Sequence, residues 1–141
     1  MASELRQKIL EVEDIQIEIV PVTEWDVDIE VRGMSGLERA GFLRRSTDKE
    51  GEVAFERFYP ELLIATCFEP PEKNEEGTYE DVVLGTGEKL FEPADRDTLN
   101  SKSGAALERI AQVGQRLSGL GQQDVEEAEG NSNGSPKNAS T

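Results

Sequence analysis

The chain has 141 residues, which suits one domain with tails rather than two domains. Hydrophobic residues make up 35% and charged residues 32%, so a modest core is affordable only if some of the chain stays outside it. The formal net charge of -15, from 30 Asp+Glu against 15 Lys+Arg, opposes binding to nucleic-acid phosphates or anionic membranes, and the absence of histidine removes the commonest general acid–base group and metal ligand.

The N-terminal MASELRQKILEVED has no basic start followed by an apolar core, so it is not a signal peptide. Residues 3–12 fit a short helix capped by Ser3, with Leu5, Ile9, Leu10 and Val12 toward one side. It would be marginal without tertiary contacts. A period-2 pattern follows. Ile15, Ile17 and Ile19 alternate with Gln16 and Glu18, and Pro21 to Glu24 break the run. Trp25, Val27, Ile29 and Val31 then alternate with Asp26, Asp28 and Glu30. The pattern predicts an antiparallel hairpin with an apolar face on a core and an acidic face in water.

Gly33 ends the second strand. Ser35-Gly36-Leu37-Glu38 fits a capping box for a helix over residues 36–45, with Leu37, Ala40 and Leu43 on its buried side. Thr47 to Glu52 form a charged turn. A second helical stretch runs from Val53 to Cys67, and Pro60 argues for a break or kink near Tyr59, because a helix-interior proline removes a donor and clashes with the preceding turn. LLIATCF within it is apolar on most sides and predicts the centre of the core. Cys67, the single cysteine, cannot close an internal disulfide, and in that setting it reads as a buried inert thiol. Residues 69–89 are rich in Pro, Gly and Glu and predict a long acidic loop, whose length suggests mobility or a role in partner contact. Leu90 and Phe91 anchor the chain again, Pro93 opens a short helix over 94–99, and Ser103 caps a helix over 104–117 that stops at Ser118-Gly119-Leu120-Gly121. Residues 124–129 suggest one more helical turn, and the polar segment after them predicts disorder. No apolar run approaches the ~18 residues that span a bilayer.

The expectation is an α+β fold: a two- or three-stranded antiparallel sheet with four or five helices. Residues 1–121 form one domain including the loop, and 122–141 a short acidic turn and tail. Three patterns bear on chemistry. Asp26, Asp28 and Glu30 on one strand face could hold a cation weakly, but period-2 alternation accounts for them as the solvated side of a half-buried strand. Gly85-Thr86-Gly87 lacks the glycine spacing and Gly-Lys-Ser/Thr of a phosphate loop, and lacks the third glycine of a dinucleotide fingerprint, so it reads as a turn. Leu107, Ile110, Val113, Leu117 and Leu120 form a stripe that serves either as core or as a partner-binding face, and the two uses can coexist. No residue set points to catalysis, a cofactor or a metal.

Two segments carry a family resemblance. KSGAALERIAQVGQRLSGLGQQDVEEAEGNS, from Lys102 to Ser132, and VRGMSGLERAGF, from Val31 to Phe42, resemble the tail assembly chaperones of long-tailed phages, especially those infecting actinobacteria; the likeness covers most of Glu13 to Ser132. The loop at 69–89 is longer than the family's usual turn. The resemblance implies a protein without catalytic residues that binds the tape-measure protein and keeps it soluble. It would promote polymerisation of the major tail protein in the host cytoplasm and be absent from the mature virion. It also implies the short form of a frameshifted pair, whose longer product reaches the tail-tube subunit. Self-association into a homo-oligomer is compatible with the thin core. The competing readings are a minor tail or connector subunit kept in the virion, an acidic mimic that blocks a host nucleic-acid-binding protein, and a small hydrolase, the last disfavoured by the missing histidine.

Overall fold

The structure is a computed structural model and describes residues 3–120. The helical turn at 124–129 and the polar tail expected after it lie outside these residues. The fold is α+β, with a three-stranded antiparallel sheet and five α-helices among the described residues.

Helix α1, Glu4–Glu11, is capped by Ser3 Oγ accepting from the Arg6 N–H, yet none of its residues is buried. Strands β1 (Ile17–Val22) and β2 (Val27–Arg32) form the expected hairpin, with Val20 opposite Ile29 and Val22 opposite Val27. The turn is a 3-10 segment, Thr23–Trp25, closed by Asp26 in the left-handed region. The hairpin corrects the sequence reading in two ways. The core face of β1 carries Val20 and Val22, one residue out of step with Ile15, Ile17 and Ile19, and Pro21 lies inside the strand instead of ending it. A one-residue change of phase exchanges the two faces of a strand. Pro21 is tolerated because β1 is an edge strand. The bond from the Gly33 N–H to the Gln16 carbonyl sets the alternation, so Ile17, Ile19 and Pro21 turn their backbone groups away from β2. No donor is lost there.

Helix α2, Gly36–Arg45, starts on the predicted capping box: Ser35 Oγ accepts from the Glu38 N–H at 3.2 Å, and Glu38 Oε1 accepts from the Ser35 N–H at 2.8 Å. Its buried side is a correction, however. Phe42 alone is buried, stacked edge-on against Phe58, while Leu37, Ala40 and Leu43 face outward.

Helix α3, Phe55–Thr66, is continuous through Pro60, which corrects the expected break. Pro60 has no N–H for the Glu56 carbonyl four residues back, and that carbonyl instead accepts from Asn100 Nδ2 at 2.7 Å. A side chain from another element thus occupies the acceptor that the proline leaves open. Leu62, Leu63, Ile64 and Ala65 are buried, as the apolar run implied. The chain passes directly into β3, Cys67–Phe68, which pairs antiparallel with β2. A 3-10 turn begun by Pro93 leads into α4, Arg96–Asn100. Helix α5, Gly104–Leu117, has the predicted bounds and the Ser103 cap. It ends in a Schellman motif: the Leu120 N–H bonds the Gln115 carbonyl, the Gly119 N–H bonds the Arg116 carbonyl, and Gly119 has φ +76°. Helix α5 lies against β1 and β2 and crosses α3. A Cβ on Gly114 would sit 3.1 Å from Thr66 Oγ1, so glycine permits that close crossing. One hydrophobic cluster unites the core face of the sheet with α3, α4 and α5.

Residues 69–89 are the largest departure from expectation. They hold no helix or strand, as expected of a loop, but they are strapped across the second face of the sheet instead of standing free in solvent. The strap is closed at its base by bonds from the Glu69 N–H to the Glu88 carbonyl and from the Leu90 N–H to the Cys67 carbonyl. Its tip is folded around Asn74, whose Oδ1 accepts from the Glu76 and Thr78 N–H groups and whose Nδ2 donates to Thr78 Oγ1 and the Glu80 carbonyl. Asparagine bonding the backbone ahead of it is a standard way to fix a tight turn.

Candidate interaction surfaces

The stripe on α5 points mostly inward. Leu107, Ile110 and Leu120 are buried, and Val113 and Leu117 are half-buried against the same core. Their helical spacing fits the groove between α3 and the sheet, so the folded domain uses this stripe for its own packing. Surfaces available to another molecule lie elsewhere.

The acidic strand face is not a cation site. Asp26 sits in the turn, outside the strand, and Glu30 is 0% exposed. Glu30 Oε1 accepts from Arg32 Nε at 2.7 Å, and its Oε2 accepts from the Gly85 N–H at 3.0 Å. Arg32 Nη2 donates to the Gly87 carbonyl at 2.8 Å, and its guanidinium lies 3.7 Å above the centre of the Phe68 ring. Asp28 Oδ2 accepts from the Tyr79 hydroxyl at 2.8 Å and lies 3.6 Å from Lys73 Nζ. The carboxylates expected to face water are therefore the points where the strap is fastened. Burial, and after it the bond to Asp28, pushes the Tyr79 phenol up to about 12. The Gly85-Thr86-Gly87 turn takes part in the same fastening. Gly85 has φ +87°, and a Cβ on Gly87 would overlap the Glu69 carbonyl. No group of three or more His, Cys, Asp or Glu side chains among the described residues could hold a metal ion.

A second buried carboxylate went unnoticed in the sequence. Glu61 is central to α3, with Oε1 accepting from Arg45 Nε at 3.0 Å and Oε2 accepting from Arg96 Nε at 2.7 Å and from Arg96 Nη2. It ties α2 and α4 to the central helix. Both arginines are more than a third exposed, so water screens the pairs; the structural consequence is mainly that the buried carboxylate is satisfied. Cys67 is fully buried, and burial pushes its thiol up to about 12, where no thiolate exists at neutral pH. Glu24, on the hairpin turn, pairs with Arg109 of α5, and chiefly the hydrogen bond from that arginine holds its carboxyl down at about 2.

Among the described residues, two open surfaces gather several apolar side chains each. The first is a cleft of about 410 Å³ lined by Trp25, Phe91, Asp95, Thr98, Leu99 and Lys102. Trp25 comes from the hairpin turn, Phe91 from the chain leaving the strap, and Leu99 from α4, so three separate elements build it. The sequence marked Phe91 as an anchor and Trp25 as a strand residue, but nothing in their spacing joined them. The second surface belongs to the helices at the other end of the hairpin. Leu5, Ile9 and Leu10 on α1 and Leu37 and Leu43 on α2 are exposed, Leu37 to 84%.

No protein-family model matches the chain, and no curated protein sequence matches it. Among solved structures, the chain is similar to the tail assembly chaperone of bacteriophage HK97, with 12% sequence identity and a TM-score of 0.43, over 82% of this chain and 98% of that one. At that degree of overlap the likeness carries no functional weight.

Proposed function

We propose that this protein is a tail assembly chaperone that holds the tape-measure protein of a long-tailed phage in solution while the major tail protein polymerises around it. The reading rests on the resemblance of residues 31–42 and 102–132 and, above all, on one physical observation. A domain of net charge -15 presents an open cleft walled by Trp25, Phe91 and Leu99. An exposed apolar hollow with aromatic walls on a strongly charged domain marks a binding site, because such walls supply most of the contact energy there. The cleft's volume of about 410 Å³ and its Asp95 and Lys102 edges suit one or two apolar side chains projecting from an amphipathic helix. Holding is stoichiometric, because binding lowers the free concentration of aggregation-prone client by mass action and needs no nucleotide. The negative charge keeps the complex soluble. On this reading the protein works in the host cytoplasm and leaves before the virion is complete, and a longer frameshifted product carries the contact to the tail tube.

The test is co-expression with the tape-measure protein encoded beside it, followed by affinity capture. The expected result is a soluble complex that Trp25→Ala weakens while the thermal melt stays cooperative. Equal client solubility with and without the chain would end this reading.

A further inference from the structure

We propose that the acidic stretch following Leu120, residues 121–132, docks on the outward side of α2 in the same chain. The surface is distinct from the Trp25 cleft, and the contact does not depend on client binding.

On α2, Leu37, Ala40, Leu43 and Arg44 share the side turned away from buried Phe42, with Arg39 at its border. Leu37 is 84% exposed. This side is basic in a strongly acidic chain. Glu38, the acid of α2, is engaged in the capping box, and Arg45 is held by Glu61. Arg39 and Arg44 are left without ion pairs among the described residues, and Arg39 is only half-exposed. An open leucine side beside two uncompensated guanidinium groups suits a segment that mixes carboxylates with aliphatic side chains.

The chain delivers such a segment to this place. Met34, just before α2, donates its N–H to Ser118 Oγ at 3.0 Å, and a Cβ on Gly33 would overlap the Leu117 carbonyl. The end of α5 is therefore clamped against the start of α2. A Cβ on Gly119 would sit 3.4 Å from Arg39 Nη1, so the chain reaches Leu120 next to an unpaired guanidinium. The sequence then continues GQQDVEEAEGNS, with Asp124, Glu126, Glu127 and Glu129 around Val125 and Ala128, and with no base before Lys137.

Reach and tether decide whether the contact holds. Five residues from Leu120 to Val125 span up to about 17 Å. The ten residues of α2 run about 15 Å, so Val125 and the acids beside it reach any point along the helix. Exposed ion pairs and a small apolar contact are too weak to join separate molecules. A short tether supplies an effective concentration in the millimolar range, where a contact of millimolar affinity is about half occupied. The same arithmetic disfavours a second copy as the occupant, because a second net charge of -15 adds repulsion and lacks the tether.

A nitroxide on Ser132→Cys in the full chain tests the contact through the relaxation of backbone amides, since buried Cys67 takes no label. The reference is the strap tip at 75–78, which lies by Asp28 at the far end of β2 from α2. The amides of 36–45 should relax several-fold faster than those of 75–78, and high salt should remove about half or more of that excess. Glu126→Arg with Glu127→Arg alters none of residues 3–120 and should lower the excess by about threefold or more. Adding Arg39→Glu with Arg44→Glu, with the thermal melt still cooperative, should restore it. An excess that survives both high salt and the Glu126→Arg, Glu127→Arg pair would overturn the proposal. So would an excess found only when the nitroxide and the observed amides belong to different copies.

Discussion

Replacing Glu30 by alanine isolates the energetics of the strap. The substitution removes a fully buried carboxylate and leaves two groups behind: Arg32, whose side chain is 18% exposed, and the Gly85 N–H. Breaking a buried pair by deleting one partner costs about 3–5 kcal/mol, because the remaining charge is left uncompensated. Arg32 keeps its bond to the Gly87 carbonyl and its place over Phe68, which moves the expected loss to the lower part of that range, about 3 kcal/mol. With a urea m value of about 1.5 kcal/mol/M, the midpoint should fall by roughly 2 M. The double variant Glu30→Leu with Arg32→Met removes both charges, so it should recover most of that loss. Urea unfolding gives the midpoints, and amide hydrogen exchange shows where the structure opens. The strap, 69–89, should lose protection before α3 and α5. A loss under about 1 kcal/mol, or unchanged exchange in the strap, would refute the assignment of Glu30 as its fastening.

The remaining predictions concern the same strap and the core beneath it. Native Cys67 should resist a thiol reagent at pH 8 and react at once in denaturant, because burial holds its thiol up at about 12; rapid reaction of the native protein would contradict that burial. The Tyr79 phenol keeps its proton in the fold up to about 12, against the ordinary value of 10.0. Its contribution to stability is therefore complete below pH 10 and is lost as the pH rises from 10 toward 12. Tyr79→Phe should remove this alkaline component from a pH series of unfolding midpoints. Gly87→Ala places a methyl against the Glu69 carbonyl and should cost about 1–3 kcal/mol by urea unfolding, whereas Gly77→Ala, at the exposed tip with φ +78°, strains the backbone without any overlap and should cost less.

Much of the fold was legible because local chemistry decided it. Ser35 with Glu38, Ser103 and Gly119 fixed the ends of α2 and α5 through caps that form between near neighbours. The apolar run from Leu62 to Cys67 had nowhere to go but the core. The errors at Pro60 and Glu30 come from contact between residues distant in sequence. Pro60 stays inside α3 because Asn100, forty residues on, takes the carbonyl it exposes. Glu30 is buried because Gly85 and Arg32 satisfy it, so alternation between apolar and acidic residues described two covered faces rather than one covered and one wet. Arg32, two residues from Glu30 on the same face, was the local sign of a buried pair. Leu37, Ala40 and Leu43 satisfied the spacing of a core face, yet spacing does not say that the fold turns that side inward. The stripe from Leu107 to Leu120 was the reverse case, since its residues serve the domain's own interior. The cleft could not be read from the sequence, because Trp25, Phe91 and Leu99 meet only through the packing of three elements.

The central claim is that this domain keeps an apolar client in solution by covering part of it. Light scattering of the tape-measure protein, diluted from denaturant into rising amounts of the pure chain, measures this directly. The account predicts that scattering falls to baseline at a fixed stoichiometric ratio without nucleotide, and that Trp25→Ala moves this point to a higher ratio. Scattering that ignores the chain at every ratio would contradict it.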